Sequence, residues 1–310
     1  MDWKMTRRLV IGSRGSKLAL IQAEWVKAQL SLLNADCEVR IEIIKTEGDI
    51  KSDPLSLIGG KGVFTKELED ALLDGRIDCA VHSLKDLPTI IPVGLALAAI
   101  CEREDPRDAL VLRSPSEFSC SALGELPIGA VVGTSSPRRL AQLANLRPDL
   151  TINDLRGNVD TRLRKLDEGQ YDAVILACAG LRRLGFEKRI GAPISTEEML
   201  PAVGQGAIGI ETRAEVTVQA LFSVLNHAQT YMACTAERAL LRALGGGCQL
   251  PIAGHGSIHG NELRLGGLVA SRDGKQIVSD ELSGSCEDAE GMGAELAERL
   301  WEQGARELLR

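Results

Sequence analysis

Short apolar runs alternate with helical patterns through the first two thirds of the chain, and this alternation narrows the fold more than any other feature. The run 8–11 ends at Gly12 and gives way to a helical pattern over 18–32. Residues 39–44 read as a strand, 64–73 as a helix closed by Gly75, and 77–81 as a buried strand. Strands separated by helices imply parallel βαβ units whose sheet is covered on both faces. The pattern restarts after the charged stretch 102–108, with strands expected at 109–112, 130–132, 150–152 and 173–176 and helices at 138–146 and 159–166. Residues 197–209 then join a short helix to Pro201-Ala202-Val203-Gly204-Gln205-Gly206-Ala207-Ile208-Gly209. The small residues there suit a hinge or a close backbone approach. From about residue 230 the style changes. A helix with Met232, Ala236, Leu240 and Leu244 at apolar spacing runs into Gly245-Gly246-Gly247-Cys248. Alternating strands at 250–258, 262–270 and 276–282 follow, and a closing helix carries Met292, Leu296 and Leu300 on one face. These predict a small α+β domain after two α/β domains.

A length of 310 residues supports two or three such domains. No apolar run reaches the ~20 residues of a membrane helix. Nine aromatic residues and a formal charge of −7 argue against a nucleic-acid surface, which needs basic and stacking groups. The eight cysteines form no C-x-x-C pair, and residues 1–8 carry no export-signal core, so reduced thiols in the cytoplasm are expected. The four histidines are scattered; His255 and His259 fall in a β-type segment, and no metal site is expected. Among the cations, 25 are Arg and 11 are Lys, a bias toward the side chain that grips carboxylates and phosphates as a fork.

Two strand-to-helix turns look alike. Gly12-Ser13-Arg14-Gly15-Ser16 opens the first helix, and Gly133-Thr134-Ser135-Ser136-Pro137-Arg138-Arg139 opens one in the second α/β half. Each offers a capping hydroxyl, backbone N–H groups and the positive end of a helix, with Arg alongside. Taken singly, either reads first as a capped helix with exposed Arg. Two in corresponding places point to carboxylate binding at strand carboxyl ends. From Arg138 to Arg183 there are eight Arg and one Lys against six acids, a span of +3 in an acidic protein. Arg156 and Arg183 stand just past strand ends, with Arg162 in the helix after Arg156, whereas Arg164 reads as a solvated partner of Asp160 or Glu168. The strand ending Val81-His82-Ser83 delivers Lys85-Asp86 before Pro88. That carboxylate is either a general acid tuned by its neighbour or an ordinary turn residue. Cys248, after three glycines, is either a site of covalent attachment, a nucleophile or a small buried side chain. The α/β halves alone fit a two-domain receptor for an anionic solute, and Cys248 alone fits a cysteine-nucleophile transferase.

In order along the chain, these segments resemble the porphobilinogen deaminase (hydroxymethylbilane synthase) family. The resemblance rests on Ile11–Ser16, Gly59-Gly60-Lys61-Gly62-Val63-Phe64-Thr65-Lys66-Glu67-Leu68, Val81–Pro88, Gly133–Arg139, Leu155-Arg156-Gly157-Asn158-Val159, Ala179–Leu184, Leu200–Gly209 and Gly246-Gly247-Cys248-Gln249. It implies two periplasmic-binding-protein-like α/β domains plus a small C-terminal α+β domain. Residues 1–103 and 203–224 would form domain 1, 107–199 domain 2, and 228–310 domain 3, which carries the cofactor cysteine.

The implied reaction is stepwise condensation of four porphobilinogen molecules on a covalent dipyrromethane primer, with ammonia and the linear tetrapyrrole hydroxymethylbilane released. Cys248 matches the cysteine whose thioether holds the dipyrromethane, and Asp86 the catalytic aspartate. Lys85, Asp86, Ser135, Arg138, Arg139 and Arg156 match cofactor-binding positions. Arg14, Ser16, Arg162, Arg183, Lys61 and Phe64 match substrate-binding ones, the last two on a loop over the site. Asp86 would protonate the leaving amine and then face the azafulvene cation. The resemblance further implies a cytoplasmic monomer in porphyrin and heme biosynthesis, with no nucleic-acid or membrane partner, passing its product to uroporphyrinogen-III synthase. Two positions depart from the pattern: Leu57 replaces a loop lysine common among relatives, and Pro137 a leucine.

Overall fold

In the computed structural model, which describes residues 7–33, 37–50, 62–113, 120–247 and 249–309, the alternating pattern becomes three sheets. Up to residue 103 the elements are β1 (Arg7–Ser13), α1 (Lys17–Leu33), β2 (Cys37–Ile43), α2 (Glu47–Ile50), α3 (Lys66–Leu73), β3 (Cys79–Ser83) and β4 (Leu95–Ile100). Next come β5 (Asp108–Leu112), β6 (Val131–Gly133), α4 (Pro137–Leu146), β7 (Thr151–Asn153), α5 (Val159–Asp167), β8 (Ala173–Ala177), α6 (Cys178–Arg183) and β9 (Ala192–Pro193). The remainder holds β10 (Ile208–Arg213), α7 (Val216–Phe222), α8 (Ala228–Ala243), β11 (Ile252–His259), β12 (Glu262–Ala270), β13 (Ile277–Ser285), α9 (Ala289–Glu302) and α10 (Ala305–Leu308).

One compact unit is discontinuous, comprising Met1–Arg103 and Ala207–Tyr231. Its sheet has the order β2-β1-β3-β10-β4. Burial on both faces follows from the sequence pattern. Ala19, Ala23, Val26 and Leu30 make one stripe of α1, and three of them join Leu9, Ile11, Val81, Ile210 and Phe222 in a single core. Leu68, Ala71 and Leu72 of α3 pack with Ile77 and Ala80 in a second.

The other unit comprises Glu104–Gly206 and Met232–Arg310. Its α/β sheet runs β7-β6-β8-β5-β9, with Leu143 of α4 in one core and Leu163 and Leu166 of α5 in another. The antiparallel sheet β11-β12-β13 packs on α8 and α9 through Ala236, Leu240, Leu265, Val269, Leu296 and Leu300. Within this unit Ala141 of α4 reaches Ala253, Leu268 and Ala270, and Asn145 donates to the carbonyl of Gly274 at 3.3 Å, so the two sheets share packing.

Three features differ from the sequence reading. Both α/β sheets are mixed rather than parallel: β10 is antiparallel to β3 and β4, and β5 to β8 and β9. Each of these strands follows a strand of the other α/β sheet, not a helix in a βαβ unit of its own, so the parallel expectation for βαβ units does not reach it. Residues 196–198 form a turn, not a helix, because Pro201 follows too closely for a second turn to form. Helix α3 starts at Lys66, leaving Phe64 outside it.

Candidate active site

In the first unit the strand order reverses between β1 and β3, the place where open α/β sheets bind ligands at their carboxyl ends. The loop after β1 is a working N-terminus. Ser16 accepts from the Ala19 N–H at 3.3 Å through Oγ and from the Leu20 N–H at 3.0 Å through its carbonyl. Half-buried Arg14 places its guanidinium 4.2 Å from the centroid of the Phe64 ring. The loop after β3 closes at once into a 3₁₀ turn, Leu84–Asp86. Leu84 is buried and its N–H donates to the Ala207 carbonyl at 3.0 Å, which turns Lys85 and Asp86 outward. Asp86 is exposed and makes no ion pair among the described residues. Arg14, Ser16, Gln22, Phe64, Ser83 and Asp86 line one pocket.

Sequence reasoning missed Gln22 and Ser83, whose side chains hydrogen-bond at 2.9 and 3.1 Å. It also missed the buried pair His82–Glu211, with Nε2 3.0 Å from the carboxylate. These contacts join residues 61 and 129 positions apart, which no local pattern reports. Lys61 and Leu57 lie outside the described residues.

In the second unit the turn after β6 is capped as its sequence requires. Ser136 Oγ accepts from the Arg139 N–H at 3.4 Å, Thr134 Oγ1 accepts from the Ser136 N–H at 3.2 Å, and Pro137 takes the first helical position. Ser135 Oγ donates to the Leu155 carbonyl at 2.9 Å. Arg138 and Arg139 are not the exposed arginines of a merely capped helix, because both are buried around Asp108. Arg138 Nη1 donates to Asp108 and to the Leu200 carbonyl, each at 2.8 Å. Arg139 donates to Asp108 through Nε at 3.1 Å and Nη2 at 2.7 Å, and to the Ile175 carbonyl at 2.9 Å. Gln205, from the glycine-rich crossing, adds a fourth donor to Asp108 at 2.8 Å. Burial would raise the Asp108 carboxyl, but the attraction of Arg138 and Arg139 overrides it and holds the group far below the usual carboxylate range. Burial and the neighbouring Arg139 lower Arg138 despite Asp108.

The other expected cations are more accessible. Arg156 Nε pairs with Asp154 at 2.6 Å with its side chain 42% exposed, which leaves its outer N–H groups to solvent. Arg162 Nε donates to the Gly157 carbonyl at 2.7 Å, and Arg183 to the Gly206 carbonyl at 2.7 Å. Arg164 pairs with Glu168 at 2.7 Å, as a solvated face should. Cys248 lies outside the described residues; the seven described cysteines are free thiols. Burial pushes Cys178 up to about 12 and Cys79 well above its ordinary value, so both are inert as nucleophiles.

The donor set fits a ligand rich in carboxylates. Two buried guanidiniums share one carboxylate, a net positive charge, and Arg138 Nε is buried without a hydrogen-bond partner. Each α/β sheet carries strand-end hydroxyls, a helix N-terminus and arginines, donor chemistry of the class that suits a polyanionic small molecule, and the first adds the exposed carboxylate of Asp86. Residues 9–219 match the family model "Porphobilinogen deaminase, dipyromethane cofactor binding domain", and residues 231–302 match "Porphobilinogen deaminase, C-terminal domain". The porphobilinogen deaminase of Pelobacter propionicus is 53% identical over 305 residues, spanning 98% of this chain and 96% of that protein. That of Nostoc is 52% identical, spanning 98% and 94%. Among solved structures, substrate binding domain 2 of Lactococcus lactis GlnP overlays with a TM-score of 0.44 at 14% identity, covering 78% of this chain and 92% of that one. The chain belongs to the porphobilinogen deaminase family. The activity is that of a transferase in tetrapyrrole biosynthesis, and the cofactor is dipyrromethane.

Proposed function

We propose that this chain adds porphobilinogen units head to tail to a dipyrromethane primer held by Cys248 as a thioether, releasing one ammonia per unit and, after four additions, hydroxymethylbilane, with water supplying its hydroxyl and returning the proton to the primer. The deaminase activity follows from family membership; the assignment of roles to residues is our reading. The observation that carries it is Asp86, an outward carboxylate at the carboxyl end of β3, in one pocket with Arg14 and Ser16. Asp86 holds the substrate's aminomethyl group protonated until the C–N bond breaks, the electron pair leaving with ammonia. As a carboxylate it then faces the cation left on the substrate and accepts from the pyrrole N–H. Porphobilinogen carries an acetate and a propionate, and Arg14, Ser16, Arg162, Arg183, Lys61 and Phe64 bind and orient it. Lys85, Asp86, Ser135, Arg138, Arg139 and Arg156 hold the cofactor. When bound, dipyrromethane supplies the terminal pyrrole to which substrate is joined. No helix among the described residues is long and apolar enough to cross a membrane. In our reading the protein works in the cytoplasm as a monomer and its product passes to uroporphyrinogen-III synthase.

Intact-protein mass spectrometry tests the reading together with turnover. The purified protein should exceed its sequence mass by two linked pyrrole units, and Cys248→Ser should lose that increment. Asp86→Asn should keep it while its rate falls on the order of 10²- to 10⁴-fold, the usual contribution of a general acid. An unmodified, fully active protein would end the cofactor assignment, and a near-normal rate in Asp86→Asn would end the role of that residue.

A further inference from the structure

Phe64 stands in the turn between Gly62, which has a φ of 90°, and α3, and its ring has two neighbours that the reaction scheme leaves unexplained. One is the Arg14 guanidinium over the ring, 4.2 Å from its centroid. The other is Gly48 in α2. A Cβ built on Gly48 would lie inside the van der Waals envelope of Phe64 Cδ1 and Cε1, so the ring rests on bare backbone. The Gly48 N–H also donates to the Val63 carbonyl at 3.1 Å, tying the two segments together just before the ring. Gly48 does not have a positive φ, so the close approach alone, not backbone conformation, demands glycine here.

Stacking engages the flat face of a guanidinium, whereas a carboxylate pairs with its N–H edge, so the two contacts reinforce each other. A stacked arginine is held in one plane before ligand arrives and loses less rotamer freedom on binding. We propose that Gly48 is a positioning residue for substrate recognition. By leaving room for Phe64 against α2 it keeps the ring under Arg14, and the ring fixes the plane in which Arg14 offers its N–H groups to a carboxylate of porphobilinogen. The proposal rests on Arg14 being a carboxylate-binding residue.

Steady-state kinetics on the holoenzyme with porphobilinogen test it, using Gly48→Ala, Phe64→Leu, the double variant and Arg14→Lys. Gly48→Ala should raise KM by roughly two- to thirtyfold, the range of a cation–π contact expressed as affinity, with kcat within about twofold. In the Phe64→Leu background the same alanine should add nothing, because the smaller, flexible side chain gives way. An unchanged KM in Gly48→Ala beside a raised KM in Arg14→Lys would overturn the proposal and leave the role of Arg14 intact. An equal KM increase from Gly48→Ala with and without Phe64 would also overturn it, since the effect would not pass through the ring. If Arg14→Lys left KM unchanged, the reading of Arg14 would fall and the proposal with it.

Discussion

Removing the charge of Asp108 would leave two guanidiniums buried with no anion between them. Breaking such a cluster costs about 3–5 kcal/mol, although building one adds little net stability, because the penalty lies in the uncompensated charge. Asp108→Asn should therefore lower the unfolding free energy by about that amount, read from urea denaturation near neutral pH. The pH dependence has a definite sign. The folded carboxyl is held below its unfolded value of about 3.9, so its contribution is complete above that pH and fades as pH falls through the folded value. Stability lost by the wild type between about pH 4 and stronger acid should be smaller in Asp108→Asn, which has no such carboxyl to protonate. Asp86 and Asp108 also mark the limits of sequence reading at this scale. The place of Asp86 was legible, because a nearly all-apolar strand ends in a charged pair before a proline, but that pattern left a general acid and an ordinary turn residue both open. Asp108 closes the charged stretch 102–108, which looks solvated in sequence, and only folding shows it fully buried between Arg138 and Arg139.

Helix α5 shows how local sequence sets the start of an element and the side chains beside it. Asn158 Oδ1 accepts from the Thr161 N–H at 2.9 Å, while Arg164 and Lys165 oppose the dipole at the other end. This start aims Arg162 back at the Gly157 carbonyl. Asn158→Ala should cost about 1 kcal/mol, seen as a lower urea midpoint at unchanged m, and Asn158→Ser should recover most of it. Elements with a clear apolar period were legible, α1, α4, α5, α8 and α9 to within a few residues. Strand β10 was not, because Glu211 and Thr212 are polar yet fully buried. The polarity of Glu211 makes sense only beside β3, where it meets His82. Strand β4 shows no alternation to betray it, only the uniformly apolar LALAAI.

At the scale of the whole chain, the two α/β sheets share one plan that no sequence repeat announces. Each sets three parallel strands in the order second-first-third, followed by an antiparallel strand and then an edge strand. Strand order and direction depend on how connections cross, and different residues can satisfy them equally well. The plans differ in bookkeeping: β5 to β9 are all encoded between residues 108 and 193, whereas the first sheet borrows β10 from 208–213. Residues 1–103 expressed alone should therefore show no cooperative unfolding by circular dichroism, because β3 and β4 would lack the strand hydrogen-bonded between them. A sharp transition from that fragment would show β10 to be dispensable. The same borrowing sets a clock during synthesis. At about 5–20 residues per second, the ribosome needs on the order of 5–20 s after Arg103 to deliver β10. Through that interval residues 1–103, made first, wait with an open sheet, and the α/β sheet encoded after them has its last strand, β9, before β10 arrives. Of the two α/β sheets, the one whose strands are made first is thus the later to become safe from aggregation.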